Sequence, residues 1–93
     1  MDINEMSALY AYGLAKVELR LTRPNMKRFG QLVERLIVAG GTQDERTWRY
    51  AGQVYEKAGW LDKALAAYTR CLECGNATAA MAIARVQAAL HHV

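Results

Sequence analysis

Between Trp48 and Tyr68 the chain sets large aromatic residues among nearly bare ones. Trp48, Gly52, Tyr55, Gly59, Ala64 and Tyr68 all fall within TWRYAGQVYEKAGWLDKALAAYTRCLECGN, residues 47–76. A lone amphipathic helix has no use for glycine in its interior, where it costs about 1 kcal/mol relative to alanine. Two helices pressed together do. Gly52 and Ala64 let two backbones approach, Trp48, Tyr55 and Tyr68 fill the space around the contact, and Gly59 permits the tight reversal between the two helices.

Elsewhere the apolar periodicity predicts helices and no strand. In residues 5–21, Met6, Tyr10, Gly13, Val17 and Leu21 recur at helical spacing, widened by Leu9 and Leu14, and this stripe is expected to face the core. The sequence TRPN breaks the pattern, with Thr22 or Asn25 available as a cap and Pro24 suited only to a helix start. A second stripe runs through Met26, Phe29, Val33, Leu36 and Ile37 and stops at Gly40 and Gly41. Thr42 and Glu45 have capping-box spacing for the third helix, which runs to about Ala58. The fourth spans about Leu61 to Cys74, and an alanine-rich fifth covers about 77–92, with Ala79, Ile83, Val86 and Leu90 on one side. The expected fold is all-α, a chain of antiparallel helical hairpins.

The spacing of Trp48, Gly52, Tyr55, Ala64 and Tyr68 resembles the tetratricopeptide repeat, whose pattern reads W-x2-L-G-x2-Y, then A-x3-F and a later proline. With the family's additional small-residue position included, five of eight positions match, Tyr68 standing for phenylalanine. Ala51 replaces the leucine, Cys71 the small residue and Asn76 the proline. A slide of 35 residues lays 26–41 over 61–76, matching Val33 with Tyr68 and Leu36 with Cys71. In that register Gly13, Val17 and Arg20 fall on Trp48, Gly52 and Tyr55, so the upstream first helix reads as degenerate. The resulting organisation is a single domain of residues 1–93, with a degenerate hairpin at 5–40, a repeat motif at 43–76 and a capping helix at 77–92.

Repeat arrays need about three stacked units to bury a continuous core, and this chain has two and a helix. Its end helices are therefore expected to meet another chain. On helix one, Ala8, Tyr12, Ala15 and Leu19 form a second seam at i, i+4, i+7, i+11 spacing. On helix five Met81, Ala84 and Ala88 offer a small-residue surface. The family resemblance adds a groove: its peptide-gripping positions fall on Arg46, Arg49, Gln53, Glu56 and Lys57. In length, helix order and a single recognisable repeat the chain is also similar to the small chaperones of type III secretion needle subunits. That similarity implies a chaperone or adaptor that holds a partner's amphipathic helix, as a heterodimer or alternatively a homodimer.

Composition narrows the function further. A net charge of +3, from 12 basic and 9 acidic residues that mostly interleave, gives little field to attract a polyanion. The cluster Arg20, Arg23, Lys27 and Arg28 is the local exception, and a nucleic-acid-associated role through this hairpin tip is the alternative function. No apolar run of about 20 residues and no signal-peptide pattern occurs, which favours a cytoplasmic protein without membrane contact.

Catalytic and metal chemistry find little to work with. Cys71 and Cys74 have CxxC spacing but lack a second ligand pair, and His91 and His92 stand at the far end of the next helix. No nucleophile and base are spaced as a set. The expectation is a protein-binding module that is not an enzyme and takes no metal, cofactor or small-molecule substrate.

Overall fold

The computed structural model describes residues 2–92. Their elements are the helices α1 (Ile3–Arg20), α2 (Met26–Gly40), α3 (Glu45–Lys57), α4 (Leu61–Glu73) and α5 (Ala79–Leu90), and no strand occurs among them. The fold is all-α. α1 packs with α2 and α3 with α4 as two antiparallel hairpins, and α5 lies against α4. The whole forms a slab of 37 × 35 × 15 Å.

The helix ends follow from local chemistry. Asp2 caps α1, its carboxylate accepting from the Glu5 N–H at 2.7 Å. Asn25 caps α2 through the Arg28 N–H at 3.0 Å. The Thr42–Glu45 capping box does not form: Asp44 is the cap of α3, accepting from the Arg46 N–H at 2.9 Å. Glu45 instead accepts from the Asn76 side chain at 2.9 Å, tying the start of α3 to the end of α4. α3 and α4 both end in glycine-centred reversals, at Gly59 (φ 78°) and Gly75 (φ 108°). Each is closed by a bond spanning five residues, Trp60 N–H to Tyr55 C=O and Asn76 N–H to Cys71 C=O.

The two hairpins repeat. Buried Phe29, Leu32, Val33 and Leu36 of α2 stand 35 positions before buried Ala64, Ala67, Tyr68 and Cys71 of α4. The register proposed from sequence for the second helices therefore matches the burial pattern. For the first helices it does not. Buried Ala11, Ala15 and Glu18 of α1 precede buried Thr47, Ala51 and Val54 of α3 by 36 positions. In that register Tyr12 takes the place of Trp48, Ala15 that of Ala51 and Leu19 that of Tyr55.

The face of α1 that lies inside is the opposite of the one expected. Ala8, Ala11 and Ala15 are buried, with Tyr12 and Leu19 packed against them, whereas Met6, Tyr10, Val17 and Leu21 are exposed. The bulkier stripe, expected to face the core, faces out. Alanines serve on the inner face because they let α1 approach α2 closely, and α2 supplies the volume with Phe29, Leu32, Val33 and Leu36.

Phe29 also joins the two hairpins. Its ring meets Trp60 edge-on at 5.1 Å between centroids, and Trp60 stacks on Tyr55 at 5.9 Å. Such pairs add about 0.5–1.5 kcal/mol beyond the area they bury.

Gly52 makes the closest approach in the second hairpin. A Cβ there would lie 2.7–2.9 Å from three ring atoms of Tyr68, which is buried and tethered by its hydroxyl to Glu56 at 2.9 Å. The ring cannot step aside without breaking that bond. Gly52→Ala is therefore expected to destabilise the fold despite its better helix propensity, since overpacking costs about 1–3 kcal/mol against a gain of about 1. Gly52→Leu is expected to abolish the folded state. Thermal melts by circular dichroism check both: each kcal/mol corresponds to about 4–8 °C in a domain of this size, and a Gly52→Ala melting point above the parent's would show that the ring does not rest on this backbone.

Candidate interaction surface

The positions that the repeat resemblance assigns to a groove lie along one side of α3, where they bind its neighbours. Arg46 forms ion pairs with Asp44 at 2.7 Å and with Glu5 on α1. The Gln53 side-chain carbonyl accepts from the Tyr12 hydroxyl at 2.7 Å, and the Tyr12 ring meets Tyr50 at 4.6 Å. Glu56 receives both Nε and Nη2 of Arg85 on α5, at 2.7 and 2.8 Å, in addition to the Tyr68 hydroxyl. Arg49 lies over the Tyr50 ring and 3.7 Å from Glu45, its buried Nε without a hydrogen-bond acceptor. Lys57 is exposed. Three of the row, Arg46, Gln53 and Glu56, are thus interhelical ties that hold α1, α3, α4 and α5 in register, while Arg49 pairs within its own helix.

Tyr12 and Gln53, expected on two separate surfaces, are hydrogen-bonded to each other. The seam expected at Tyr12, Ala15 and Leu19 is not a free surface: Ala15 is fully buried, and Tyr12 and Leu19 pack on the core. A carboxylate introduced at Leu19 would therefore act first on stability, since it would be pressed against apolar neighbours. On α5 the expectation and the structure agree in placement: Met81, Ala84 and Ala88 are exposed, while Ala79, Ala82 and Val86 are buried.

The repeat-packing residues behave as a unit. Trp48 donates its indole N–H to the Thr42 carbonyl at 3.0 Å and carries Arg70 over its face at 4.9 Å. Tyr55, Ala64 and Tyr68 are buried. Cys71 is buried beside Glu45, and burial, reinforced by that carboxylate, pushes its thiol upward, away from a reactive thiolate. Among the described residues, no group of three or more His, Cys, Asp and Glu side chains is placed to hold a metal ion. The cleft between α1 and α3, lined by Glu5, Ala8, Leu9, Arg46 and Tyr50, has a volume of about 100 Å³, and a wider surface recess of about 600 Å³ lies along α2 beside Gln31, Glu34, Arg35, Val38 and Ala39. No helix of the described residues is long and apolar enough to cross a membrane.

What remains is the outer face of α1. Ile3, Met6, Tyr10 and Val17 are 77, 57, 65 and 52% exposed, with Leu21 at 49% just beyond the helix end. Ile3, Met6, Tyr10, Gly13 and Val17 follow alternating steps of three and four, the spacing by which one helix meets another. Single exposed apolar residues such as Val38 or Leu72 need no explanation, but a contiguous stripe on one helix does. Sequence periodicity contained this stripe and mistook its direction. Near its C-terminal end stand the exposed Arg20, Arg23 and Lys27, while Arg28 is engaged 3.3 Å from the buried Glu18, which also accepts from the Asn25 N–H.

Comparison with protein-family models, curated proteins and solved structures finds no match to this chain.

The Glu56–Arg85 tie gives a test of the interhelical row. The guanidinium holds the Glu56 carboxyl below its ordinary range, against a smaller opposing push from burial. A carboxyl depressed in the folded state contributes stability above its unfolded pKa, near 4.3, and loses it as pH falls through the lower folded value. Glu56→Gln is expected to lower stability at neutral pH by under about 1 kcal/mol, the pair being partly solvated. In urea titrations at neutral and strongly acid pH, the gap between parent and variant should shrink on the acid side; an unchanged gap would refute the tie.

Proposed function

We propose that this chain is a protein-interaction module of the helical-repeat kind, resembling tetratricopeptide repeat proteins, and that it acts as a small adaptor or chaperone which docks an amphipathic helix of a partner protein. The observation that carries the reading is the unpartnered stripe of Ile3, Met6, Tyr10, Val17 and Leu21 on the first helix. Water contact with that much clustered apolar surface is unfavourable by about 25 cal/mol per Å², so a matching helical face gains by covering it. The reading is non-enzymatic and cytoplasmic. Chaperones of type III secretion needle subunits, similar in helix order, remain its most specific instance.

Ions favour this over nucleic acid binding. Of the basic residues near the α1–α2 turn, the exposed Arg28 already has the buried Glu18 carboxylate as its counter-ion, which weakens the cluster as a phosphate-binding site.

The test compares the parent with a Met6→Glu, Val17→Glu double variant, both exposed positions, as bait in native-cell extract. The parent is expected to retain a helical protein partner at least about tenfold more than the variant, a difference of about 1.4 kcal/mol. Equal retention, with both proteins melting alike, would overturn the docking face.

A further inference from the structure

The stripe on α1 has the features of a surface that fits itself. We infer that, in the absence of another partner, two copies of this chain pair through α1 in antiparallel orientation, with the two-fold axis passing between Ala11 and Tyr12. The inference rests on the docking face proposed above and names what covers it.

Shape sets the register. Gly13 has open space around the position of a Cβ, and Tyr10, one step away on the same stripe, presents an exposed ring. Antiparallel pairing about this axis brings Tyr10 of each copy over Gly13 of the other, and Met6 against Val17. Parallel pairing would set Tyr10 against Tyr10 and leave Gly13 facing an empty Gly13. A helix of 18 residues offers about 27 Å of seam, enough for all of these layers.

Charge selects the same orientation. The stripe begins beside Asp2 and ends near the exposed Arg20 and Arg23. In the antiparallel pair the stem of Arg20 lies over Ile3 of the second copy and its guanidinium reaches the Asp2 carboxylate there, a charge that also caps the helix N-terminus. In a parallel pair these two cations would face their own copies. Like charges set opposite one another across a seam are unfavourable, and coiled coils use such contrasts to fix orientation.

The experiment uses the full chain in sedimentation velocity over a wide concentration range, together with disulfide trapping. The parent is expected to reach a dimer as concentration rises, and Val17→Glu to raise its dissociation constant at least about tenfold. Gly13→Leu should weaken the dimer while increasing helicity, a combination that general loss of folding cannot give. For trapping, Cys74 is replaced by serine, Cys71 being buried. Equal amounts of Met6→Cys and Val17→Cys chains should oxidise to the mixed disulfide and hardly to either like pair, since like positions stand about 16 Å apart in this register. A parent that stays monomeric, a dimer indifferent to Val17→Glu, or like-pair trapping would each overturn the inference. If the parent is monomeric but its extract partner is lost in the Met6→Glu, Val17→Glu variant, only self-pairing fails; if neither association responds, the docking face fails too.

Discussion

The fold depends on how closely its helices approach, and small residues decide that distance. Gly52 lets the Tyr68 ring rest on the α3 backbone, and Ala8, Ala11 and Ala15 do the same for α1 against α2. Where one helix gives up volume its partner supplies it, so Phe29, Leu32, Val33 and Leu36 fill the first hairpin and Tyr55 with Tyr68 the second. Interiors packed to crystal-like density tolerate little change in this division of volume. A slab only 15 Å thick has no second layer to absorb an error.

Polar ties then fix what packing alone leaves free to slide. Glu5–Arg46 and Tyr12–Gln53 set α1 on α3, Glu45–Asn76 joins the start of α3 to the end of α4, and Glu56 gathers Tyr68 and Arg85. Most of these join residues far apart in sequence, and most are partly exposed, so each adds modest energy. Their value lies in register, which apolar contacts specify weakly.

The all-helical architecture was legible because the second hairpin carries its rule in the open: aromatic, glycine and alanine positions alternate there as two close helices require. The first hairpin obeys the same rule with quieter residues. Tyr12, Ala15 and Leu19 are its inward set, yet Met6, Tyr10, Val17 and Leu21 show equal periodicity and more bulk, and on a helix apolar nearly all round, size misleads. The Thr42–Glu45 box was misplaced for a similar reason, since Asp44 offers a competing cap that spacing alone does not rank. The residues singled out on α3 do share one side of that helix, while the partners Glu5, Tyr12 and Arg85 lie on other helices, beyond the reach of any local pattern.

The extra residue between the buried sets of α1 and α2, compared with α3 and α4, gives the molecule a built-in asymmetry. Its hairpins are alike in plan but not interchangeable parts. A second hairpin moved to the front would keep the same inward face but set Arg46, Arg49 and Gln53 where Tyr10, Gly13 and Val17 now stand, exchanging an apolar outer face for a polar one. Lengthening such an array by copying one unit would therefore repeat that unit's outer face, and the character of the exposed rim would follow from which copy was chosen.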